Sequence, residues 1–355
     1  NIVKEGQCKG MRIRKNVLAD IRKRGYLIMG VQASAPPMNN SPMTDTWEEE
    51  NGDKEEGKRR ERELLWKRTG FDYEMARMIA AEMGVIRKGS VKAREVPEFK
   101  DLFCLLNRQE PDGSFSVDII MSGIARDPSY DNTISWTKPY AEFGYSLVTK
   151  KSSYIETLDD CKGKKIGIVA GDNIVKGYVT SQMPDSEIVE LSDEEDEWLS
   201  DALNLNQVDA VVYDYPFAVE ELKGINEEVR ERGVQGKLLE IRIANIPNFQ
   251  LKYSIGVPRG EEDLLEKLND AIDKVTSDDN PRYAALIQEY FTSSDVKPVE
   301  IKPGAKIYIV QRGDSLARIA RRELGDEQRW KELGSLNNIG NDHLIVPRQK
   351  LILPN

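Results

Sequence analysis

The sequence has few of the residues that carry metal and nucleophilic chemistry. Its 355 residues include three cysteines and one histidine. The cysteines, Cys8, Cys104 and Cys161, form no CxxC pattern, which argues against a zinc ribbon or a dithiol redox motif. The histidine, His343, lies close to the C-terminus, which argues against most metal clusters and a serine–histidine triad in the main body. We therefore expect a protein without a metal or a cofactor, one that binds rather than catalyses.

Long apolar runs and an excess of positive charge are also missing. No run approaches the roughly 18 apolar residues of a membrane helix. The net charge of −10 at pH 7 argues against nucleic acid as a partner, because binding to phosphates needs basic side chains that displace counterions. A chain of this length exceeds what one hydrophobic core usually supports, so two or three folding units are predicted.

The three cysteines allow one disulfide at most, and the sequence leaves its pairing open. Cys104 falls within a helix predicted over Phe99 to Asn107. There it is interpreted as a small buried apolar side chain.

What the chain does contain is an alternation of apolar strands and amphipathic helices. The clearest helix runs from Gly70 to Gly84, where Phe71, Met75 and Ile79 recur every four residues. Apolar runs predict strands at 26–31, 165–170, 208–212, 237–243 and 251–257, and periodic segments predict helices at 17–25, 217–222, 261–276 and 283–291. This order predicts an open α/β sheet, in which ligands bind at the carboxyl ends of strands.

A long loop is predicted from Ser122 to Tyr140, with the sequence SGIARDPSYDNTISWTKPY. It lies between strands predicted at 117–121 and 143–148. Loops fixed at strand ends by a rigid sheet are where binding groups are usually found, so we expect this loop to take part in function.

Two further strand ends carry polar residues. The strand at 165–170 runs into Gly171, Asp172 and Asn173 at the start of a predicted helix. The first N–H groups of a helix have no partners within it, so this turn is a ready polar site. Asp214 likewise lies between a strand and a helix, where it is either a binding group or an N-cap.

The segments RKRGYLIMGV, GFDYEMARMIAAEMG, SGI through ISWTKPY, KGKKIGIVAG, VDAVVYDYP and YSIGVPRG, in this order, resemble landmarks of the extracellular solute-binding proteins of family 3. The resemblance covers roughly residues 17–293. It implies an α/β fold of the periplasmic-binding-protein type, with two lobes, a hinge and a central cleft that closes on ligand. Members mostly deliver amino acids to ABC transporters, so an ABC transporter permease is an implied partner.

Family positions that hold a ligand carboxylate are changed here. After Ser122 and Gly123, the positions of a threonine and an arginine are occupied by Ala125 and Tyr130. In the second lobe, the hydroxyl residues that follow the strand's glycine are replaced by Asp172 and Asn173, and an aspartate there would repel an anion. The family's ammonium-binding aspartate is retained as Asp214.

The aromatic wall of the family's site is changed too. Ala35 and Met38 stand where aromatic residues commonly flank two prolines, while Tyr130 and Trp136 remain available for stacking or cation–π contacts. If Asp127 faces the cleft together with the other two aspartates, the cleft is acidic. The predicted ligand-binding residues are Ala35, Met38, Ser122, Gly123, Ala125, Asp127, Tyr130, Trp136, Asp172, Asn173 and Asp214.

The C-terminal segments IYIVQRGDSLARIARRELGDEQRWKELGSLNNI and DHLIVPRQKLILP resemble a LysM domain. The resemblance implies a small βααβ fold that binds peptidoglycan or another N-acetylglucosamine polymer in a shallow groove. Arg348 stands where the family usually has glycine, which affects the backbone of the groove's second loop. By position, the glycan-binding residues would be Gly313, Asp314, Ser315, Leu316, Ile345, Val346 and Pro347.

The predicted layout has five parts. They are an N-terminal extension (1–16), lobe 1 (17–148 and 248–295, with a charged insertion at 39–69), lobe 2 (149–247), a linker (296–305) and the LysM domain (306–355). The charged insertion has the composition of a solvated or disordered segment.

We therefore expect a non-catalytic binding protein in the periplasm or cell envelope, anchored to peptidoglycan through its LysM domain. Its ligand is expected to be a cationic or neutral small molecule and not an ordinary α-amino acid. Two alternatives stay open: an enzyme on the same scaffold, dehydratase-like or acting on the cell wall, and a degenerate sensor or scaffold without a small-molecule ligand. A further alternative is that the LysM domain is an inert spacer or a protein contact.

Overall fold

A computed structural model describes residues 16–40, 68–85, 90–96, 99–110, 113–193 and 197–355. The chain divides into two compact units. The first unit is Asn1–Ala141 with Lys252–Tyr283, and the second unit is Glu142–Leu251 with Ala284–Asn355. The predicted extension and charged insertion, at 1–16 and 39–69, lie almost entirely outside the described residues, as does Cys8.

The first unit is built on a mixed sheet. Its strands are β1 (Leu27–Gln32), β2 (Val91–Val96), β3 (Ile119–Ile120) and β9 (Gln250–Pro258), and its helices are α1 (Val17–Arg24), α2 (Phe71–Glu82), α3 (Leu102–Leu105) and α7 (Glu262–Val275). Strand β1 pairs in parallel with β2 and β3, and β3 pairs antiparallel with β9. Helix α8 (Pro281–Phe291) begins in this unit.

The second unit contains a second mixed sheet and the LysM region. The C-terminal half of β4 pairs antiparallel with β7 and β8, while β5 pairs in parallel with β6 and β7. The elements are β4 (Ile134–Lys150), β5 (Lys165–Val169), α4 (Asn173–Gln182), β6 (Glu187–Leu191), α5 (Trp198–Asn204), β7 (Ala210–Asp214), α6 (Tyr215–Glu231) and β8 (Leu239–Ile243). The LysM region has the elements β10 (Ile307–Ile309), α9 (Leu316–Leu324), α10 (Trp330–Leu336) and β11 (Lys350–Ile352), with β10 antiparallel to β11. Among the described helices, none combines the length and apolarity needed to cross a bilayer.

Helix α2 confirms the helix predicted from its four-residue period. Phe71, Met75 and Ile79 are fully buried and form its core face. The helix begins after Gly70, whose φ is +118°. A Cβ at Gly70 would lie 2.3 Å from the carbonyl oxygen of Met38, so only glycine fits here.

The same helix supplies a buried carboxylate, Asp72, that holds the predicted loop at both ends. Its Oδ2 accepts a hydrogen bond from the Gly123 N–H at 2.6 Å, and its Oδ1 accepts one from the Tyr140 hydroxyl at 2.6 Å. Asn39 Nδ2 lies 3.4 Å from Oδ2. Burial raises the pKa of Asp72 to about 7, although these donors favour the ionised form.

Three expectations need correction. The predicted loop ends at Thr133, because the alternating residues from Ile134 onward extend β4. The helix predicted at 217–222 is α6, which runs for 17 residues. Cys104 is disulfide-bonded and half-buried, so it is not a buried apolar side chain, whereas Cys161 is buried and free.

We predict that Asp72→Asn lowers the free energy of unfolding by about 2–4 kcal/mol, because an amide cannot satisfy both the Gly123 N–H and the Tyr140 hydroxyl as a carboxylate does. Urea denaturation at pH 8 measures this. The control is Asp273→Asn, which removes an exposed ion pair with Lys138 at 2.6 Å and should cost less than about 1 kcal/mol. Equal losses in the two variants would contradict the role assigned to Asp72.

Candidate functional site

Ser122 and Gly123, at the start of the predicted binding loop, are engaged in holding that loop. The Ser122 hydroxyl is buried and accepts hydrogen bonds from the Gln32 N–H at 3.1 Å and from Asn39 Nδ2 at 3.2 Å. Gly123 has a φ of +60° and donates its N–H to Asp72. These two residues fix the backbone from which the following side chains project.

The aromatic residues of the loop are packed together. The Tyr130 ring stacks on Phe103 with a centroid distance of 4.0 Å, and Trp136 meets the edge of Phe103 at 6.5 Å. Tyr130 and Trp136 are each half-buried, so each keeps part of its ring accessible. Phe103 was not anticipated from the sequence, because its helix is short and lies far from the loop along the chain.

The rest of the loop offers no unpaired positive group. Ala125 forms an isolated bridge with Tyr253. Asp127 caps the turn that follows, accepting a hydrogen bond from the Ser129 N–H at 2.8 Å. Arg126 is exposed and pairs with Asp131 at 2.5 Å. The one arginine of this loop is therefore already committed to a carboxylate.

The two positions around the prolines differ from each other. Ala35 is half-buried, and its backbone exchanges two hydrogen bonds with Asn39, at 2.8 and 2.9 Å. Met38 is fully buried, so its side chain lies in the core of the first unit and not at a surface that a ligand could touch. The expectation that Met38 lines a binding wall does not fit this placement, because an unbranched apolar side chain is more stable in the core.

In the second unit, the turn after β5 is formed as its sequence predicts. Gly171 has a φ of +84°, and Asp172 caps helix α4 by accepting a hydrogen bond from the Val175 N–H at 3.0 Å. Asn173 is exposed at the first position of the helix. Asp172 thus has a structural role, and its second carboxylate oxygen accepts no hydrogen bond from the described residues.

Asp214 lies at the end of β7, immediately before helix α6. Its side chain makes no capping hydrogen bond, so the N-cap alternative does not account for it. Among the described residues, none donates a hydrogen bond to this half-buried carboxylate. Burial, together with the charge of Asp172, raises the pKa of Asp214 to about 7.

Aromatic side chains cluster at the strand that pairs with Asp214. Tyr145 on β4 is the register partner of Asp214 on β7, and its pKa is raised by burial and by the charges of Asp214 and Asp172. The Phe249 ring lies 4.6 Å from that of Tyr145 and 5.1 Å from that of Tyr178. A half-buried carboxylate close to aromatic side chains is suited to a cation, and Phe249 is the one of these three rings that is partly accessible. Tyr145 could not be anticipated from the sequence, because the pairing of β4 with β7 is not visible in it.

The predicted glycan-binding residues of the LysM region have mixed roles. Asp314 Oδ2 accepts hydrogen bonds from the Tyr308 hydroxyl and the Gln311 N–H, each at 2.7 Å, and Ser315 caps helix α9. Leu316 is fully buried, and Ile345 is nearly so. The accessible members of the predicted groove are Gly313, Val346 and Pro347.

Arg348 has a φ of +71°, in the left-handed region. The backbone here therefore keeps the conformation that the usual glycine would favour, and the larger residue adopts it at a steric cost.

A cavity of about 320 Å³ lies elsewhere in the second unit. It is lined by LysM residues such as Asn338 and Gly340, by Val296 and Val299 of the linker, and by Tyr215. None of the predicted ligand-binding residues lines it.

Residues 63–293 match the family model of the bacterial extracellular solute-binding proteins, family 3. The chain belongs to this family. Residues 308–354 match the LysM domain model, so the chain joins a family 3 solute-binding region to a LysM domain. Both resemblances seen in the sequence are confirmed.

Curated relatives are amino-acid-binding proteins. The L-cystine-binding protein TcyJ of Escherichia coli is 22% identical over 285 residues, which is 80% of this chain and 89% of that protein. The ABC transporter arginine-binding protein 1 of Escherichia coli is 26% identical over 174 residues, 49% of this chain and 66% of that protein. Among solved structures, the ancestral cationic amino acid solute-binding protein AncCDT-1 aligns with a TM-score of 0.53 at 21% identity, covering 78% of this chain and 100% of that chain. This likeness confirms the predicted fold class.

We predict that Asp214→Asn changes how stability depends on pH. The folded protein keeps the Asp214 proton up to about pH 7, while the unfolded chain loses it near pH 4, so ionisation destabilises the folded state as pH rises from about 4 to 7. The variant lacks this loss and should gain about 1–2 kcal/mol relative to the native protein between pH 5 and pH 8.

Urea denaturation at both pH values measures this difference. Asp185→Asn is the control, because Asp185 is exposed and pairs with Lys162. A gain that is the same at pH 5 and pH 8 would show that Asp214 has no raised pKa.

Proposed function

We propose that this chain is a non-catalytic, extracytoplasmic solute-binding protein for a cationic small molecule, held at peptidoglycan by its LysM domain. The observation that carries the proposal is the Asp214 carboxylate, which is half-buried near Asp172 and receives no hydrogen bond from the part of the chain that the structure describes. A partly desolvated carboxylate with no partner is costly, and a bound ammonium or guanidinium group removes that cost.

The same residues disfavour an ordinary α-amino acid. An α-carboxylate needs a cationic or N–H-rich partner, and the positions expected to supply one hold Ala125 and Tyr130, with Arg126 paired to Asp131. At the start of helix α4, the capping Asp172 presents negative charge to any ligand anion. The ligand should therefore carry positive charge with little or no negative charge.

The relatives support a cationic ligand in part. Several bear names as arginine-binding proteins, and one as a probable histidine-binding protein. Arginine has a cationic side chain that a pair of aspartates would favour, while its α-carboxylate lacks the expected partners in this chain. Delivery to an ABC transporter permease is the use that these relatives suggest.

Two features support a place in the cell envelope. The LysM domain belongs to a class that binds N-acetylglucosamine polymers, and Val346 and Pro347 leave part of the expected groove accessible. Cys104 is disulfide-bonded, and such bonds persist mainly in oxidising compartments. A single LysM domain binds weakly, but it raises the local concentration of the receptor at the wall.

A second candidate function is acid–base catalysis. It is favoured by the pKa of about 7 for Asp214, which is suited to proton transfer near neutral pH. Incubation of any identified ligand with the protein, followed by NMR of the ligand, distinguishes the two, because a binding protein returns the ligand unchanged. The degenerate sensor or scaffold without a ligand is distinguished by the screen below.

We predict that putrescine, spermidine or choline raises the melting temperature of the protein more than glutamine or glutamate does, because the aspartate pair favours positive charge. Affinity for the best cation should rise from pH 6 to pH 8, as Asp214 ionises. Calorimetric titration measures it.

Asp214→Asn should weaken cation binding at least tenfold, while Asp185→Asn leaves it unchanged. The strongest stabilisation by glutamate or glutamine would contradict a cationic ligand. No stabilisation by any compound would favour the degenerate alternative.

We predict that Val346→Glu reduces cosedimentation of the full chain with purified peptidoglycan several-fold, because a charge replaces an apolar side chain that is 50% exposed in the expected groove. Val299→Glu is the control, since Val299 is 37% exposed but lies in the linker. Equal pelleting of the two variants would argue that the LysM domain is a spacer.

A further inference from the structure

The LysM domain is bonded to the α/β part of the second unit through a short segment, residues 338–341. Asn338 makes three hydrogen bonds across this contact. Its Oδ1 accepts one from the Ala244 N–H at 2.5 Å, and its Nδ2 donates to the carbonyl oxygens of Lys297 at 2.7 Å and Arg242 at 3.2 Å. One LysM side chain therefore satisfies three backbone groups, two in the α/β part and one in the linker.

Gly340 brings the two backbones into direct contact. Its carbonyl oxygen accepts a hydrogen bond from the Gly144 N–H at 2.7 Å. A Cβ at this position would lie 2.7–2.9 Å from three atoms of the Tyr215 ring. Glycine is thus required for this approach, because the ring is rigid and fully enclosed.

Further contacts between the LysM domain and the α/β part lie near Gly340. Asn341 Nδ2 donates to the Glu142 carbonyl at 2.5 Å, and Gln288 Nε2 donates to the Ile345 carbonyl at 2.5 Å. Gly334 on α10 approaches Asn245, so that a Cβ there would lie 3.0 Å from Nδ2. We call the contacts of residues 334–345 with the α/β part the LysM dock.

The LysM dock meets the α/β part next to two residues of the candidate cation site, Tyr145 and Asp214. Gly144 precedes Tyr145, and Tyr215 follows Asp214. Tyr145 and Asp214 face each other as register partners on β4 and β7. The Tyr215 hydroxyl also donates to the Phe291 carbonyl at 2.9 Å, so this ring is fixed on more than one side.

We propose that the LysM dock positions Tyr145 and Asp214, so that Asn338 and Gly340 are positioning residues for the cation site. The assignment of that site rests on the proposed function. The LysM domain is then a fixed part of the second unit, and the linker at 296–305 does not make it a freely moving tether. Binding of a cation at Asp214 and retention of the dock should stabilise each other.

The first experiment tests the dock without any ligand. Hydrogen exchange of the full chain is followed by NMR at the Gly144 and Ala244 amides, because both donate to LysM acceptors. In Asn338→Gly, which keeps a residue suited to the φ of 54°, both amides should exchange at least tenfold faster.

Asn206→Gly is the matched control for this exchange. Asn206 has a φ of 57° and accepts a hydrogen bond from Lys150 on the surface of the same unit. Unchanged exchange at Gly144 and Ala244 in Asn338→Gly would overturn the dock. Gly340→Ala provides a second variant should Asn338→Gly fail to fold.

The second experiment tests positioning. The Asp214 carboxyl is titrated by ¹³C NMR in Gly340→Ala and in Gly224→Ala, whose added methyl meets open space. Opening the dock should hydrate the strand end and lower the pKa of Asp214 by at least half a unit in Gly340→Ala alone. Faster amide exchange without any change in this titration would overturn positioning while leaving the dock in place.

Amide exchange and the titration of Asp214 are both measured without a ligand, so their outcome does not depend on the proposed function. If no cation stabilises the native protein, but both NMR results are as expected, then the proposed ligand is wrong and the positioning of Asp214 by the LysM dock stands.

Discussion

The first unit depends on one buried carboxylate. Asp72 accepts hydrogen bonds from Gly123 and from Tyr140, so a residue near the start of helix α2 fixes both the first turn of the binding loop and the strand that follows it. The side chains between Gly123 and Tyr140 can then vary while both residues stay in place. The chain can therefore retain the family's scaffold whatever side chains stand at positions such as Ala125 and Tyr130, where we expected the family's carboxylate-binding groups to be replaced.

The main feature of the second unit is the half-buried carboxylate of Asp214. One carboxylate oxygen of Asp172 caps helix α4 by accepting a hydrogen bond, whereas the Asp214 side chain makes no capping hydrogen bond. Burial and the nearby charge of Asp172 raise the pKa of Asp214, and the Tyr145 ring packs against that of Phe249. The arrangement is unfavourable for the protein alone, which is why we propose that a positively charged ligand binds here.

Much of the fold could be predicted because it depends on local patterns. The period of helix α2, the glycine turn before α4 and the motifs of both families lie within short segments, and the family assignments were confirmed. Long-range features could not be predicted. Three contacts join residues that are distant along the chain. They are the pairing of Tyr145 with Asp214, the hydrogen bond from Tyr140 to Asp72 and the stacking of Phe103 on Tyr130.

Asn338 shows why one LysM domain is not interchangeable with another. Asparagine tolerates a left-handed backbone and also carries both a donor and an acceptor, and this position uses all three properties. A LysM domain without asparagine at this position would leave the Ala244 N–H without its side-chain acceptor. The LysM domain is therefore packed against the α/β part of the second unit through contacts that depend on its own residues, such as Asn338.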